Sequence, residues 1–423
     1  MTTGLARWFR SSVVGTGRPV IWTALFMWAI LSVAVPRRAF AQDSGTPPNP
    51  SDASMRLGPI GLTPRLQIQD LGVDSNVFYA PDHPTSDFVA VIAPSVDASM
   101  RVGRAILSGT TTLQWMYFQK TANQRSLNLN QTARLDVPFT RIAPYIDGAY
   151  LHTRQRPNLE IDERVQQIEQ RGGAGTVVHL GAFTSIDVSA AADHLDFSAG
   201  NFGDELLANA LNRDSRSGRV EIRRDLTALT TLIVRTDVQQ DRFEFATIRN
   251  TDSLGVVGGL DFRPSALISG TAHLGFKATN AKSPLVPDFR GLVSDVNVSY
   301  VLREQTRFTM KVGRDVDYSF EDAWPYFLIT SVNLEIKQAV GLRWDVVARG
   351  GHSLLAYRTL RDETADVDAN RVDVVDLVGA GVGRHLGDDV RVGVDLNYQR
   401  RRSPVPLRSY HGYRLGGSVT YGF

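Results

Sequence analysis

From Leu62 to the carboxyl end the sequence repeats one theme: a run of alternating polar and apolar residues, then a break, then another such run. Alternation at period two is what a strand with two unlike faces produces; a helix, at 3.6 residues per turn, cannot. About 18 runs can be counted, an even number, as in single-chain bacterial barrels. They begin with residues 62–71, 88–102 and 105–118 and end with 371–386, 390–401 and 410–423. The breaks alternate too, by length. Short ones such as Gly103-Arg104, Gly181-Ala182, Val340-Gly341 and Gly387-Asp388-Asp389 fall between long ones at 72–87, 154–164, 198–214, 356–370 and 402–409. A β-sandwich has no reason to keep that rhythm over so many hairpins. Outer-membrane barrels do keep it, with tight turns at the periplasmic rim and longer loops outside. The expectation is an all-β fold: a single-chain antiparallel transmembrane β-barrel of the outer-membrane type, occupying residues 62–423.

The two faces of the runs say which way each residue points. In residues 230–245, Leu232, Val234 and Val238 oppose Arg235, Asp237, Gln239 and Asp241. In 390–401, Val392, Val394, Leu396 and Tyr398 oppose Arg391, Asp395, Asn397, Gln399 and Arg401. A charge held in lipid costs a few kcal/mol at the midplane, so the charged parity belongs to the lumen. The pore-lining candidates are Arg134, Arg219, Glu221, Arg223, Arg235, Asp237, Lys311, Arg343, Asp345, Arg391, Asp395 and Arg414. In a wide barrel such side chains can stay hydrated and line a water-filled passage; equally, they can pair across strands and stiffen the wall. Both signs recur on the same strand, which implies mild ion selectivity. Tyr117, Trp324, Tyr326, Tyr398, Tyr421 and Phe423 fall near strand ends, where interfacial aromatic girdles belong.

The terminal run carries a second signal. Tyr413, Leu415, Val419, Tyr421 and Phe423 share one parity, and the chain stops on an aromatic residue. An ordinary edge strand can show the same alternation. The aromatic end resembles the terminal signal that the barrel-assembly machinery reads in outer-membrane proteins, and these five residues are its candidates.

Residues 1–41 have the form of an export signal: Arg7, Arg10 and Arg18, then an apolar core from Val20 to Val35, then Ala39-Phe40-Ala41. The apolar run is short for a membrane span, and A-x-A follows at once, so cleavage between Ala41 and Gln42 is expected. Residues 42–61, with Pro47-Pro48-Asn49-Pro50, cannot bury enough apolar surface to order themselves and read as a flexible periplasmic leader.

Composition excludes more than it identifies. The chain has no cysteine, which rules out thiol catalysis, thiolate metal sites and disulfides. Its net charge of +2 predicts no nucleic-acid partner. The eight histidines show no metal-ligand spacing, so neither metal nor cofactor is expected. Gly351-His352-Ser353-Leu354-Leu355 imitates a nucleophile elbow without its closing glycine, which leaves a barrel-embedded hydrolase as a remote alternative and no enzyme as the reading. Glycine clusters at 172–175, 258–259, 379–383 and 416–417 lack a phosphate-binding context and are read as bends in a closing sheet. Leu206, Leu207, Ala210 and Leu211 have helical spacing and suggest a short loop helix at 204–211, folded against or into the mouth, with an unstructured loop as the alternative.

Gly72-Val73-Asp74-Ser75-Asn76-Val77-Phe78, followed by Thr85-Ser86-Asp87-Phe88 and Ala93-Pro94-Ser95, resembles the opening of a family of outer-membrane β-barrel porins. The resemblance implies outer-membrane localisation, lipid and the barrel-assembly machinery as partners, and no catalytic residues. Some relatives are similar to barrel proteins of exopolysaccharide secretion. Two uses follow from that: diffusion of hydrophilic solutes, or a polysaccharide exit working with periplasmic export components.

Overall fold

The computed structural model describes residues 53–198, 201–202, 205–264, 267–361, 371–387 and 389–422. The export signal with Ala39, Ala41 and Gln42, most of the leader, and Phe423 lie outside them.

A short strand, β1 (Met55–Leu57), precedes the barrel. The first barrel strands are β2 (Ile60–Asp74), β3 (Asp87–Val102), β4 (Ala105–Phe118), β5 (Ser126–Asp136), β6 (Ile142–Gln155), β7 (Val165–His179) and β8 (Thr184–Ser198). A two-strand ribbon, β9 (Asn201–Phe202) with β10 (Glu205–Leu206), and a helix at Leu207–Leu211 decorate the next loop. Then follow β11 (Arg213–Thr227), β12 (Thr230–Phe243), β13 (Thr251–Phe262), β14 (Ile268–Ala281), β15 (Phe289–Leu302) and β16 (Thr306–Tyr318). The last are β17 (Tyr326–Val340), β18 (Trp344–Arg358), β19 (Val372–Leu386), β20 (Val390–Arg402) and β21 (Tyr410–Tyr421). Each barrel strand pairs antiparallel with its chain neighbours, and β2 pairs with β21, closing a ring of 18 strands. Closure satisfies every backbone edge, which a structure in lipid requires.

Register places the faces as the alternation demands. Between β11 and β12, Arg219 stands opposite Asp237 and Glu221 opposite Arg235. Their outward neighbours Val220, Ile222, Val234 and Val238 are exposed, as are Leu274, Leu292, Leu334, Leu396 and Leu415 around the ring. A slip of one residue would exchange the faces and put the charges into lipid, so register is strongly specified. An apolar belt this continuous is the lipid-facing surface of a transmembrane barrel.

Strand β2 runs three residues past the first alternating segment, and the reason is a bulge. Its register shifts against both β3 and β21 around Gln69–Leu71, where Asp70 takes φ 53°. The extra residue switches the parity: beyond it Leu71 and Val73 are exposed, while Asp70 and Asp74 both reach Arg414 at 2.9 and 2.7 Å. A period-two scan stops at such a switch. The Gly72-to-Phe78 motif gains a physical account here. A Cβ on Gly72 would collide with the Leu415 carbonyl oxygen. Asp74 accepts the Asn76 amide at 2.9 Å, and the Asn76 side chain bonds both the NH and the carbonyl of Ala80 and the His411 carbonyl.

Three sequence expectations need correction. The glycines at 379 and 381 are accounted for by space and mark no register shift: an added Cβ at either would strike Asn397 or Asp395 of β20, so they make room for lumenal side chains lying across the sheet. Trp324 lies in the 319–325 loop with its ring 6.2 Å from Tyr357, and Tyr326 is buried with Val286, Phe289 and Leu328. Neither belongs to a lipid-exposed girdle, whereas Tyr398 and Tyr421 are exposed. Lastly, the leader gives way to strand earlier than residue 62, since β1 pairs with the start of β2.

Candidate functional site at the outer mouth

Most sequence-derived lumenal candidates are brought together, but as pairs. Arg219 bonds Asp237 at 2.7 Å, Arg235 bonds the same carboxylate at 2.8 Å, and Arg223 joins Glu221 at 2.9 Å and Asp261 at 2.8 Å. Arg391 meets Asp345 at 2.6 Å; Arg349 holds Glu335 at 2.9 Å and Asp395 at 2.8 Å; Arg134 sits 2.9 Å from Asp136. Lys311 is exposed and makes no ion pair among the described residues. Arg343 falls in the turn before β18, one residue short of the strand, because the hairpin needs Gly341, Leu342 and Arg343 to reverse the chain. The pairs neutralise one another along the wall and leave it polar. Arg349, Arg391, Asp395, Asn397, Gln399 and Arg414 border a 430 Å³ cleft within it. On the outer face of β21, Tyr413, Leu415 and Tyr421 are exposed, and Val419 pairs with Ile68.

The least expected feature is the loop at 156–164. It leaves the ring between β6 and β7 and meets the loop between β16 and β17, eight strands around the 18-strand circle, so it crosses the mouth. Asn158 starts the crossing, its side-chain oxygen accepting the amides of Glu160 and Ile161 at 2.9 and 3.0 Å. An Asx-type turn of this kind lets a short loop hold shape without a helix. Leu159 packs on the cluster of Phe327, Leu355, Tyr357 and Val375. Ile161 enters another with Phe197, Leu207, Leu211 and Phe320, so the predicted loop helix does fold into the mouth, at Leu207–Leu211.

The strap is locked by buried charge. Glu160 accepts the Ser319 hydroxyl at 2.6 Å and the Phe320 amide at 3.3 Å. Arg401 of β20 donates to the Leu159 and Glu160 carbonyls and pairs with Asp162 at 3.0 Å and Asp373 at 2.5 Å. Arg371 joins Asp373 at 3.0 Å and Glu321 at 2.8 Å and lies 3.9 Å over the Tyr357 ring. Arg408 donates to the Glu160 carbonyl at 3.0 Å. Removing one member of the Arg401, Asp162, Asp373 and Arg371 set would leave its partners charged and unpaired, at about 3–5 kcal/mol.

Protonation follows from this burial. Fully enclosed, Glu160 is pushed up to about 7, with Glu321 adding repulsion and Ser319, Arg408 and Arg371 opposing. Asp162 is also raised, burial outweighing Arg401 and Arg408. Arg164 is driven down to about 9, first by burial, then by Arg156, Arg414 and Arg154.

Residues 50–423 match the family model described as Putative beta-barrel porin 2. The chain belongs to that family. It is an outer-membrane β-barrel porin, seated in outer-membrane lipid. No curated protein matches it. Similar solved structures include OpdK of Pseudomonas aeruginosa, 11% identical, covering 86% of this chain and 97% of that one at TM-score 0.46. OccK2 (OpdF) of the same organism is 12% identical, covering 85% and 97%, at 0.48. A bacterial polysaccharide outer membrane secretin is 10% identical, covering 86% and 98%, at 0.34. At such identities none of them bears on what passes through this porin.

Sequence reasoning missed the strap because its partners are remote in sequence. Glu160 and Ser319 are separated by 159 positions, Arg401 and Asp162 by 239. One clue was available: Glu160, Asp162, Glu163 and Arg164 crowd a loop that also carries Leu159 and Ile161, more apolar surface than a solvated loop needs.

Proposed function

We propose that this porin is a diffusion pathway for small hydrophilic solutes, with the 156–164 loop as its constriction and the paired lumenal residues as its wall. The loop crossing to Ser319, Phe320 and Arg401 carries the reading, because it narrows the entrance from outside while the polar wall continues below it. Arg134, Arg219, Glu221, Arg223, Arg235, Asp237, Lys311, Asp345, Arg391, Asp395 and Arg414 line that wall in this reading. Solvated ion pairs on a pore wall contribute little binding energy each, which suits passage without a deep minimum. The reading assigns no catalytic step and no cofactor. It gives Tyr413, Leu415, Val419, Tyr421 and Phe423 to recognition by the assembly machinery, and cleavage to the Ala41–Gln42 bond. Exopolysaccharide export would require the strap to leave the mouth, and no specific contact favours it.

Liposome swelling with sugars of graded size tests the proposal. The native porin should pass monosaccharides and exclude large dextrans, and a variant with residues 157–163 replaced by a short glycine-serine link should raise the size limit. Impermeability of both proteins would overturn the diffusion reading, and dextran passage through the native one would favour polymer export.

A further inference from the structure

Four arginines are buried among the described residues: Arg164, Arg249, Arg371 and Arg401. Three of them have carboxylate partners, namely Asp322 for Arg249, Glu321 and Asp373 for Arg371, and Asp162 and Asp373 for Arg401. Arg164 has none. Its side chain is 8% exposed, and the acceptors of its terminal nitrogen are neutral: the Arg154 carbonyl at 3.0 Å, the Ser126 hydroxyl at 3.5 Å and the Met116 sulfur. Its Nε is buried with no acceptor at all. The guanidinium stands 4.8 Å over the Phe118 ring, and Arg156 and Arg154 add like charge nearby.

An uncompensated guanidinium in a dry place is costly, and a protein normally supplies a carboxylate for it. Here a cavity of 220 Å³ takes that place, bordered by Arg164, Arg156, Gln124, Val77 and Phe78. Arg156 makes no ion pair among the described residues; it donates to the Asp162 and Val77 carbonyls and lies over Tyr79. Two acids also border the cavity. Asp162 is already committed to Arg401, and Glu163 is exposed.

We propose that the cavity between the 75–86, 119–125 and 156–164 loops is an oxyanion-binding subsite, in which Arg164 and Arg156 hold the carboxylate or phosphate group of a small solute. The planar fork of a guanidinium matches such groups bidentately. The lowered pKa of Arg164 points the same way, since an anion in the cavity would return the guanidinium to its ordinary range. Because Asp162 bridges the cavity to Arg401 of the lumenal row, the occupant is a free solute entering the mouth, not a lipid headgroup on the outer belt. The subsite deepens the diffusion reading, since it assigns a solute class to the same entrance.

The test uses the full-length porin in detergent, exchanged into chloride buffer and titrated with sodium acetate or inorganic phosphate at constant ionic strength. Thermal unfolding and calorimetry report the binding. Both anions should raise the midpoint saturably in the native protein, and Arg164→Met should weaken that binding by about tenfold or more, the loss of a charge-assisted pair of bonds. Gln124→Glu provides an independent arm, because it supplies the missing carboxylate from within. That variant should unfold at higher temperature without added anion and lose its response to acetate. No response of the native protein beyond that to sodium chloride would overturn the subsite, as would an undiminished response in either variant. Binding in detergent needs no conduction, so a porin that binds acetate yet passes nothing would refute only the diffusion reading.

Discussion

Replacing Glu160 by glutamine should remove a pH dependence of the mouth. The carboxyl is fully buried beneath Ser319 and Phe320, and docking of the strap raises it from an ordinary 4.5 to about 7. The groups facing it are Ser319 and Glu321 of the 319–325 loop, Tyr357 of β18, Arg371 before β19, Arg401 of β20 and Arg408. An acid whose pKa is raised on docking favours the docked state while protonated. Docking is therefore at full strength below pH 4.5, weakens progressively as pH rises, and levels off above about 7. The full difference amounts to about 3 kcal/mol, a factor above one hundred in the docked-to-undocked ratio. Asp162, raised as well, shifts docking in the same direction. Planar-bilayer conductance at fixed ionic strength, stepped from pH 4 to 8, reads this directly. The native porin should conduct more as pH rises through that window, and Glu160→Gln, which keeps an acceptor for the Ser319 hydroxyl, should lose the part of that step that Glu160 supplies and keep only what Asp162 adds. A step of native size that survives in Glu160→Gln, or one that runs the other way, would refute the assignment to this carboxyl.

Two further outcomes test the frame that holds the strap. With no native cysteine, single cysteines report cleanly: an impermeant thiol reagent on whole cells should label Asn209→Cys, on the exposed side of the mouth helix, and spare Leu342→Cys, whose native side chain is fully exposed in a turn on the opposite rim. Leu274→Arg, on the exposed apolar face at the centre of β14, should destabilise the barrel in lipid vesicles by about 2–4 kcal/mol by denaturant titration.

How much of this was legible in the sequence depends on the range of the contacts involved. The ring was legible because a strand in lipid writes its facing into every second residue, and the loops write their rim into their length. Both signals are local, so β12 and β20 could be oriented from Leu232, Asp237, Val394 and Asp395 alone. Where one local rule broke, the reading broke with it. The bulge at Asp70 inverted the parity of β2 and made its last turn of strand look like loop. The glycines at 379 and 381 looked like bends because the side chains that occupy their space, Asn397 and Asp395, come from the next strand. Arg343 missed the wall by one position because the hairpin's need for three turn residues is not visible in a charge pattern.

The mouth lies beyond the reach of such rules. Arg401 has the same parity as Arg391 and Asp395 and, from its strand alone, is one more hydrated lumenal charge. What makes it different is a loop from near the opposite wall, which takes it from water and requires Asp162 and Asp373 to neutralise it. The strap needs that arginine in return, because its own carbonyls at Leu159 and Glu160 have left water and must find donors. Mutual desolvation of this kind ties strap and wall together while keeping the contact polar. Water can re-enter a polar contact when a proton leaves Glu160, so docking can be reversible where a purely apolar plug would hold at every pH. A strap built this way admits a direct check in Arg401→Met, which abolishes the donors but preserves bulk. The conductance of that variant should sit near the native high-pH value even at pH 5, and a native low-pH state in its place would mean that the apolar packing of Leu159 and Ile161 holds the loop unaided.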